Sequence, residues 1–453
     1  MRRVIILLLL LGGMQLIVPL GANGDTSRTL LTFGFLILAA YTIGEIAKAI
    51  RFPKIVGYLA AGLVFGPAAL NILTADATRE LQPVRSLAIA LIALLAGAEL
   101  RVSDIRESGI VIVKILVSEL SLAFLALLGL MLLLRAHVPF LAGAGTGQII
   151  AFSVLFASIV IVHSPAVTMA LLSETGARGP VARTTLGVVL LSDVVVVLMF
   201  SAALAAARYL VPPNSVDVAT MSVATVAWEI LGAILIGALL GGAVAMYLRF
   251  VSRELFLFAI IVAFFGAEIA RLTHVETLLT LLTAGFVMEN VSRHGEGAAL
   301  RHAMERSAAP VFVVFFALAG AHMAIAEIRA LWFLIIPIVL VRAGAIWLGT
   351  RIGSRWARVE GAQGRFVWMG LISQAGVAIG LATVVGQVYP VRGALMQTLF
   401  LAVIAINETI GPILFRHALV QSGEVSDAEQ AEVETLSPAG ATAGIDPDRV
   451  RRR

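Results

Sequence analysis

The sequence predicts an all-α, polytopic membrane protein of about thirteen transmembrane helices, on three observations. Apolar residues make up 60% of the 453-residue chain and charged residues 13%, against about 45–50% and about 25% in soluble domains, so the chain is built for hydrocarbon. Stretches of roughly 20 apolar residues, long enough for a core of about 30 Å, recur along most of its length. The chain also matches itself at a fixed displacement, as two copies of one helical unit would. The absence of cysteine excludes disulfides, thiolate metal sites and thiol redox chemistry. A formal charge of +5 comes from basic residues scattered singly in short loops, which argues against a nucleic-acid surface.

Fourteen segments meet the length criterion, near 4–20, 28–48, 55–73, 81–99, 109–134, 147–172, 184–207, 221–248, 255–270, 275–290, 309–327, 331–350, 366–388 and 394–415. With the amino terminus in the cytoplasm, sixteen Lys and Arg residues fall in inner loops, Lys54, Arg178 and Arg355 among them, and eight in outer ones. The positive-inside rule favours that orientation, which makes the carboxyl terminus cytoplasmic too. Met1-Arg2-Arg3 before the first apolar run reads equally as the start of a signal peptide or of a first span, so residues 1–27 are left as either. Residues 28–418 are the transmembrane domain. Residues 419–453 are polar, with a Ser-Pro-Ala-Gly stretch, and are expected to be a disordered cytoplasmic tail.

The self-match has a displacement of 223 residues. Glu45-Ile-Ala-Lys48 meets Glu268-Ile-Ala-Arg271, Ala61-Gly62 meets Ala284-Gly285, and Leu95-Ala-Gly-Ala98 meets Leu318-Ala-Gly-Ala321. Later the displacement becomes 215, and Ser192-Asp193 lies over Asn407-Glu408. The copies, about 28–207 and 255–415, are seven spans apart, and an odd displacement turns the second upside down. Inverted repeats of this kind belong to secondary transporters, whose ion sites lie near the bilayer midplane.

An ionisable group inside a span is expensive, so each is a functional candidate. Glu119, Asp193, Glu229, Glu408 and Arg342 lie well inside spans, whereas Glu45 with Lys48 and Glu268 with Arg271 read as interfacial pairs. Asp193 is about ten residues from Arg183, near mid-bilayer at about 1.5 Å per residue, with no basic residue within a turn or two. Low-dielectric surroundings disfavour its bare charge, so it holds a proton or a cation but not both. In the preceding span, Pro165 removes a backbone donor and disfavours helix at Ser164, so the span is predicted to break there. A broken helix offers carbonyl oxygens and half-helix ends to a small monovalent cation. Ser373-Gln374-Ala375-Gly376 occupies the equivalent span of the second copy. His163, beside the break, is read as a neutral histidine or a pH sensor.

At these residues the chain resembles the cation:proton antiporter superfamily, in its sodium/proton exchanger-like membrane domain, over roughly residues 30–418. The stretches that carry the resemblance are Phe52 to Pro67, Leu94-Leu-Ala-Gly-Ala-Glu-Leu100, Ser164-Pro-Ala-Val-Thr168 with Glu174 and Gly176, Leu191-Ser-Asp193 and Leu371-Ile-Ser-Gln-Ala-Gly376. The resemblance implies a dimeric carrier with a sodium/proton antiporter fold, in which a core domain bearing two crossed, unwound helices moves against a scaffold. It makes Asp193 the ion- and proton-binding acid, with Ser192, Ser164 and Thr168 around it and Pro165, Gln374 and Gly376 at the helix breaks. Arg342 looks like the basic residue beside that site. Two positions depart from the pattern: Ser192 stands where relatives carry an acid or asparagine, and Ser164 where the Thr-Asp-Pro type carries an acid.

Within the repeat Arg342 lies over Glu119, so the two also read as a buried pair fixing a helix crossing, and Glu408 as a structural acid or second proton site. The expected function is exchange of sodium or potassium for protons by alternating access in the cell membrane. One acid with an arginine implies an electroneutral mode. The alternative is a regulated potassium efflux pathway. Neither cofactor nor enzymatic activity is expected, since no nucleophile–base pair, histidine cluster or phosphate-binding glycine loop stands out.

Overall fold

The computed structural model describes residues 25–50, 52–100, 102–211, 223–250, 254–292, 295–321, 323, 325–359, 361–374 and 377–425. The described residues form sixteen helices and no strand: α1 Asp25–Ala49, α2 Lys54–Phe65, α3 Ala75–Glu80, α4 Gln82–Glu99, α5 Val102–Leu133, α6 Thr146–Val160, α7 Pro165–Thr175, α8 Pro180–Leu210, α9 Val223–Leu248, α10 Leu255–Leu272, α11 Thr277–Val291, α12 Glu296–Ala321, α13 Ile325–Trp356, α14 Ala362–Gly370, α15 Val377–Val388 and α16 Pro390–Gln421. Nine spans among them are long and apolar enough to cross a membrane, α6 with α7 counting as one; α12, bent by 51° between Glu305 and Ala309, makes ten. Adding the short apolar helices α2 and α11 and the broken pair α14 and α15 gives a count compatible with the expected thirteen. Segment 4–20 lies outside the described residues.

Segment 55–73 is shorter than expected. Gly66 is extended and Pro67 has no N–H to continue the ladder, so α2 stops at Phe65, after which a turn leads to α3. Thr74 caps α3 by accepting a hydrogen bond from the Ala77 amide at 3.2 Å. At the other end α16 continues to Gln421, and the Glu424 carboxylate accepts from the Val181 and Ala182 amides at 2.7 and 2.8 Å. Order thus extends past the expected boundary at 419, and residues 426–453 lie outside the description. Glu268 and Arg271 pair at the surface at 2.9 Å, as read from their spacing, and Glu45 meets Lys54.

Two large apolar clusters hold the bundle together. One gathers α1, α2, α4, α7, α10, α11 and α12, the other α5, α6, α13, α14 and α15. Helices α8 and α16 contribute to both. On α8, Ala182, Leu186 and Leu190 pack into the first cluster, while Val188, Val189, Val196 and Phe200 pack into the second. Asp193 follows Leu190 by three residues and so continues the stripe that faces the first cluster.

Glycines let helices of the first cluster touch backbone to backbone. A Cβ on Gly97 of α4 would lie 1.9 Å from the Leu282 carbonyl of α11, and one on Gly285 would lie 2.1 Å from the Leu94 carbonyl of α4. The same contact recurs between α2 and α12, where Gly62 meets the Ala317 carbonyl at 1.9 Å and Gly320 meets that of Leu59 at 2.1 Å. Small residues allow this close approach in membranes, where packing rather than hydrophobicity joins helices. The displacement of 223 carries Gly62 onto Gly285 and Gly97 onto Gly320, so it exchanges one helix pair for the other. Gly97→Ala is expected to lower the unfolding midpoint of the detergent-solubilised protein through about 1–3 kcal/mol of overpacking. Gly34→Ala, whose added carbon meets nothing within 4 Å, is expected to leave that midpoint in place.

Candidate functional site

The two helix breaks meet. Pro165 occupies the first position of α7, and the hydroxyl of Ser164 caps that helix by accepting from the Val167 amide at 3.2 Å. The chain between α6 and α7, with the matching break after α14, leaves backbone carbonyls without helical partners. In hydrocarbon such groups must be satisfied by protein. Arg342 of α13, fully buried, satisfies them. Its Nε donates to the Val160 carbonyl at 2.7 Å, its Nη2 to that of Val162 at 2.9 Å and its Nη1 to that of Ile372 at 2.6 Å. A longer contact runs from Nη2 to the Leu371 carbonyl at 3.4 Å. Gln374 adds a second stitch, donating to the Val160 carbonyl at 2.6 Å while its own carbonyl accepts from Asn407 at 2.7 Å. Gly376 lies outside the described residues.

His163 completes the crossing. Its Nδ1 is 2.7 Å from the Leu371 carbonyl, which can only accept, so Nδ1 carries a proton. Its Nε2 faces Oε2 of Glu119 at 3.3 Å, and that contact requires one further proton, on the ring or on the carboxyl. Glu119 and Arg342 form no ion pair of their own; His163 stands between them and shares the Leu371 carbonyl with Arg342. Its second oxygen, Oε1, has no hydrogen-bond partner.

Asp193 stands apart from this network. It is 7% exposed, and neither carboxylate oxygen has a hydrogen-bond partner. It lines a small cavity with Leu190, Val194, Ile230, Glu276, Leu278, Leu279 and Leu282. A neighbouring small cavity includes Ser164 and Pro165 and shares Leu278 and Leu282 with the first. These two leucines of α11 thus lie between the acid and the first helix break. The hydroxyls of Ser192 and Thr168 donate to carbonyls of their own helix or its cap, Val189 at 2.7 Å and Ser164 at 3.0 Å, and neither residue lines the Asp193 cavity. The contacts of Arg342 are with the breaks, not with Asp193. Glu408 is buried with Oε1 unpartnered, and the charge acting on it is that of Arg85, inside α4. Glu276, at the head of α11, is the site residue that sequence reasoning passed over.

Among the described residues no group of three His, Cys, Asp or Glu side chains could hold a metal ion. What remains is the unpartnered carboxylate of Asp193, in a largely apolar cavity that it shares with Glu276, beside crossed helix breaks. Residues 4–420 match the family model described as sodium/hydrogen exchanger, transmembrane. The chain belongs to this sodium/hydrogen exchanger family. It is therefore a multi-pass membrane protein and a cation:proton antiporter, not an enzyme. Its fold is similar to that of the sodium proton antiporter MjNhaP1 from Methanocaldococcus jannaschii at pH 8, with a TM-score of 0.65 and 15% sequence identity. That similarity covers 87% of this chain and 96% of the archaeal one. No curated protein sequence matches the chain.

The exchanger's crossing depends on a planar, multidentate cation, which a lysine ammonium does not reproduce. Arg342→Lys is expected to cost about 3 kcal/mol or more, by leaving carbonyls of both breaks unpaired in a dry interior. The checks are the unfolding midpoint in detergent and faster amide exchange at 160–164 and 371–374.

Proposed function

We propose that this exchanger trades one monovalent cation, sodium in the first instance, for one proton by alternating access, with Asp193 as the carboxylate that both occupy in turn. The observation that carries the reading is the pair of unpartnered oxygens of Asp193, buried in an apolar cavity. A bare carboxylate there is costly, so it is neutralised by a proton or by a cation, and competition between the two couples the fluxes. Ser164, at the adjoining cavity, serves as a neutral ligand on approach, and Ser192 and Thr168 shape the backbone around it. Arg342 and Glu119, with His163 between them, balance charge at the crossing and keep Pro165 and Gln374 in place. Glu408 is the structural acid of the second copy.

The exchange of partners between the two glycine contacts supports reading the two copies as an inverted repeat. Sodium is favoured over potassium by the family description alone. We further read the protein as a homodimer in the cell membrane with its carboxyl terminus in the cytoplasm. The cytoplasmic terminus rests on the distribution of Lys and Arg among the loops.

One charge exchanged for one charge gives no dependence on membrane potential, whereas a net charge per cycle adds about 2.3 kcal/mol per 100 mV. In liposomes, sodium-driven proton flux by the wild type is expected to be unchanged by an imposed potassium–valinomycin potential, and Asp193→Asn is expected to abolish it. Retention of sodium-driven flux by Asp193→Asn overturns the assignment.

A further inference from the structure

The second acid in the Asp193 cavity does not come from α8 or from the broken helices. Glu276 is contributed by α11, on the far wall, and is the charged group that acts on Asp193. Its Oε2 accepts from the Leu279 amide, so it also caps α11, and its own amide donates to the Glu229 carbonyl at 3.2 Å. Capping alone does not account for its position. A carboxylate oxygen offers lone pairs beyond the one used by an amide, and the space beside it is shared with an acid whose two oxygens have no partner at all.

We propose that Glu276 is the second carboxylate of the cation site, so that the transported monovalent cation is held between Asp193 of α8 and Glu276 of α11. This rests on the reading of Asp193 above. Two like charges facing each other across an apolar cavity repel, and a cation between them turns that repulsion into two attractions. The partial positive charge at the start of α11 and the Leu279 amide both offset part of the cost of burying charge on Glu276. Asp193 has neither, so it is the acid that exchanges proton for cation, while Glu276 remains a fixed ligand and one-for-one exchange is preserved. The cation then ties α8 to α11 only while it is bound. This supplies, from α11, the acid that Ser192 and Ser164 do not.

The test compares Glu276→Gln, Glu276→Ser and Glu276→Asp with Asp193→Asn in the full chain. Ser retains N-cap capacity and removes the charge; Asp retains both. Two quantities are read: the sodium concentration for half-maximal exchange in liposomes, and the rise in unfolding midpoint caused by sodium chloride over choline chloride in detergent. Gln and Ser variants are expected to unfold like the wild type without sodium, to need at least about tenfold more sodium, and to lose most of the sodium-induced rise. Glu276→Asp is expected to stay within a few fold of the wild type. If either neutral variant folds and responds to sodium like the wild type while Asp193→Asn is inactive, Glu276 is a helix cap only, and Asp193 keeps its role. Sodium-driven exchange by Asp193→Asn sinks the underlying reading instead. If neither neutral variant folds while Glu276→Asp responds normally to sodium, the charge serves the fold, and the proposal fails.

Discussion

Two helices broken inside a membrane expose carbonyl oxygens that neither lipid nor their own ladders can satisfy, and the structure turns on how that debt is met. A single guanidinium on α13 meets it for both breaks at once, with short bonds to Val160, Val162 and Ile372. Arginine is suited to this because its donors are fixed in a plane and its charge persists on burial. The crossing is consequently a charged object with its own counter-acid, Glu119, held at one remove by His163. That arrangement releases Asp193 from any duty in the fold. An acid without protein hydrogen bonds in an apolar cavity is tolerable when the surrounding structure does not depend on its ionisation.

Much of this was legible in the sequence. Proline after Ser164 marks a break because its ring removes a donor and crowds the preceding residue, and the break is where it was expected. Asp193 was recognisable from depth alone, since counting residues along a span measures distance across a bilayer. The self-match at 223 residues includes small residues because close helix contact requires them at fixed places, and the glycines that matched are those whose backbones touch. What sequence could not supply was direction. Ser192 adjoins Asp193 in the chain, yet on a helix adjacent residues point about 100° apart, and its hydroxyl turns back to Val189. Arg342 was identified as a functional residue, but a one-dimensional reading does not reveal that its partners are backbone atoms of two remote segments. Glu276 was overlooked because at the edge of an apolar run it resembles an ordinary helix-capping acid.

Membership of the sodium/hydrogen exchanger family fixes the class of activity, while identity of 15% to the archaeal antiporter fixes no more than the fold. The individual character of this chain lies in where its acids are. Ser192 and Ser164 bring no charge to the surroundings of Asp193. The cavity wall of α11 carries Glu276 and, behind it, contact with the Glu229 backbone on α9.

The glycine seams carry a mechanical corollary. Where α4 lies on α11, and α2 on α12, carbonyl meets Cα with no side chain between them that might rotate and relieve pressure. Such joints are stiff, since backbone atoms in contact can be neither compressed nor repacked. Any relative movement of these helices has to leave those seams closed and slip along α8, whose two faces belong to different cores. Lubrication, in this exchanger, falls to leucines and valines, and the glycines act as rivets.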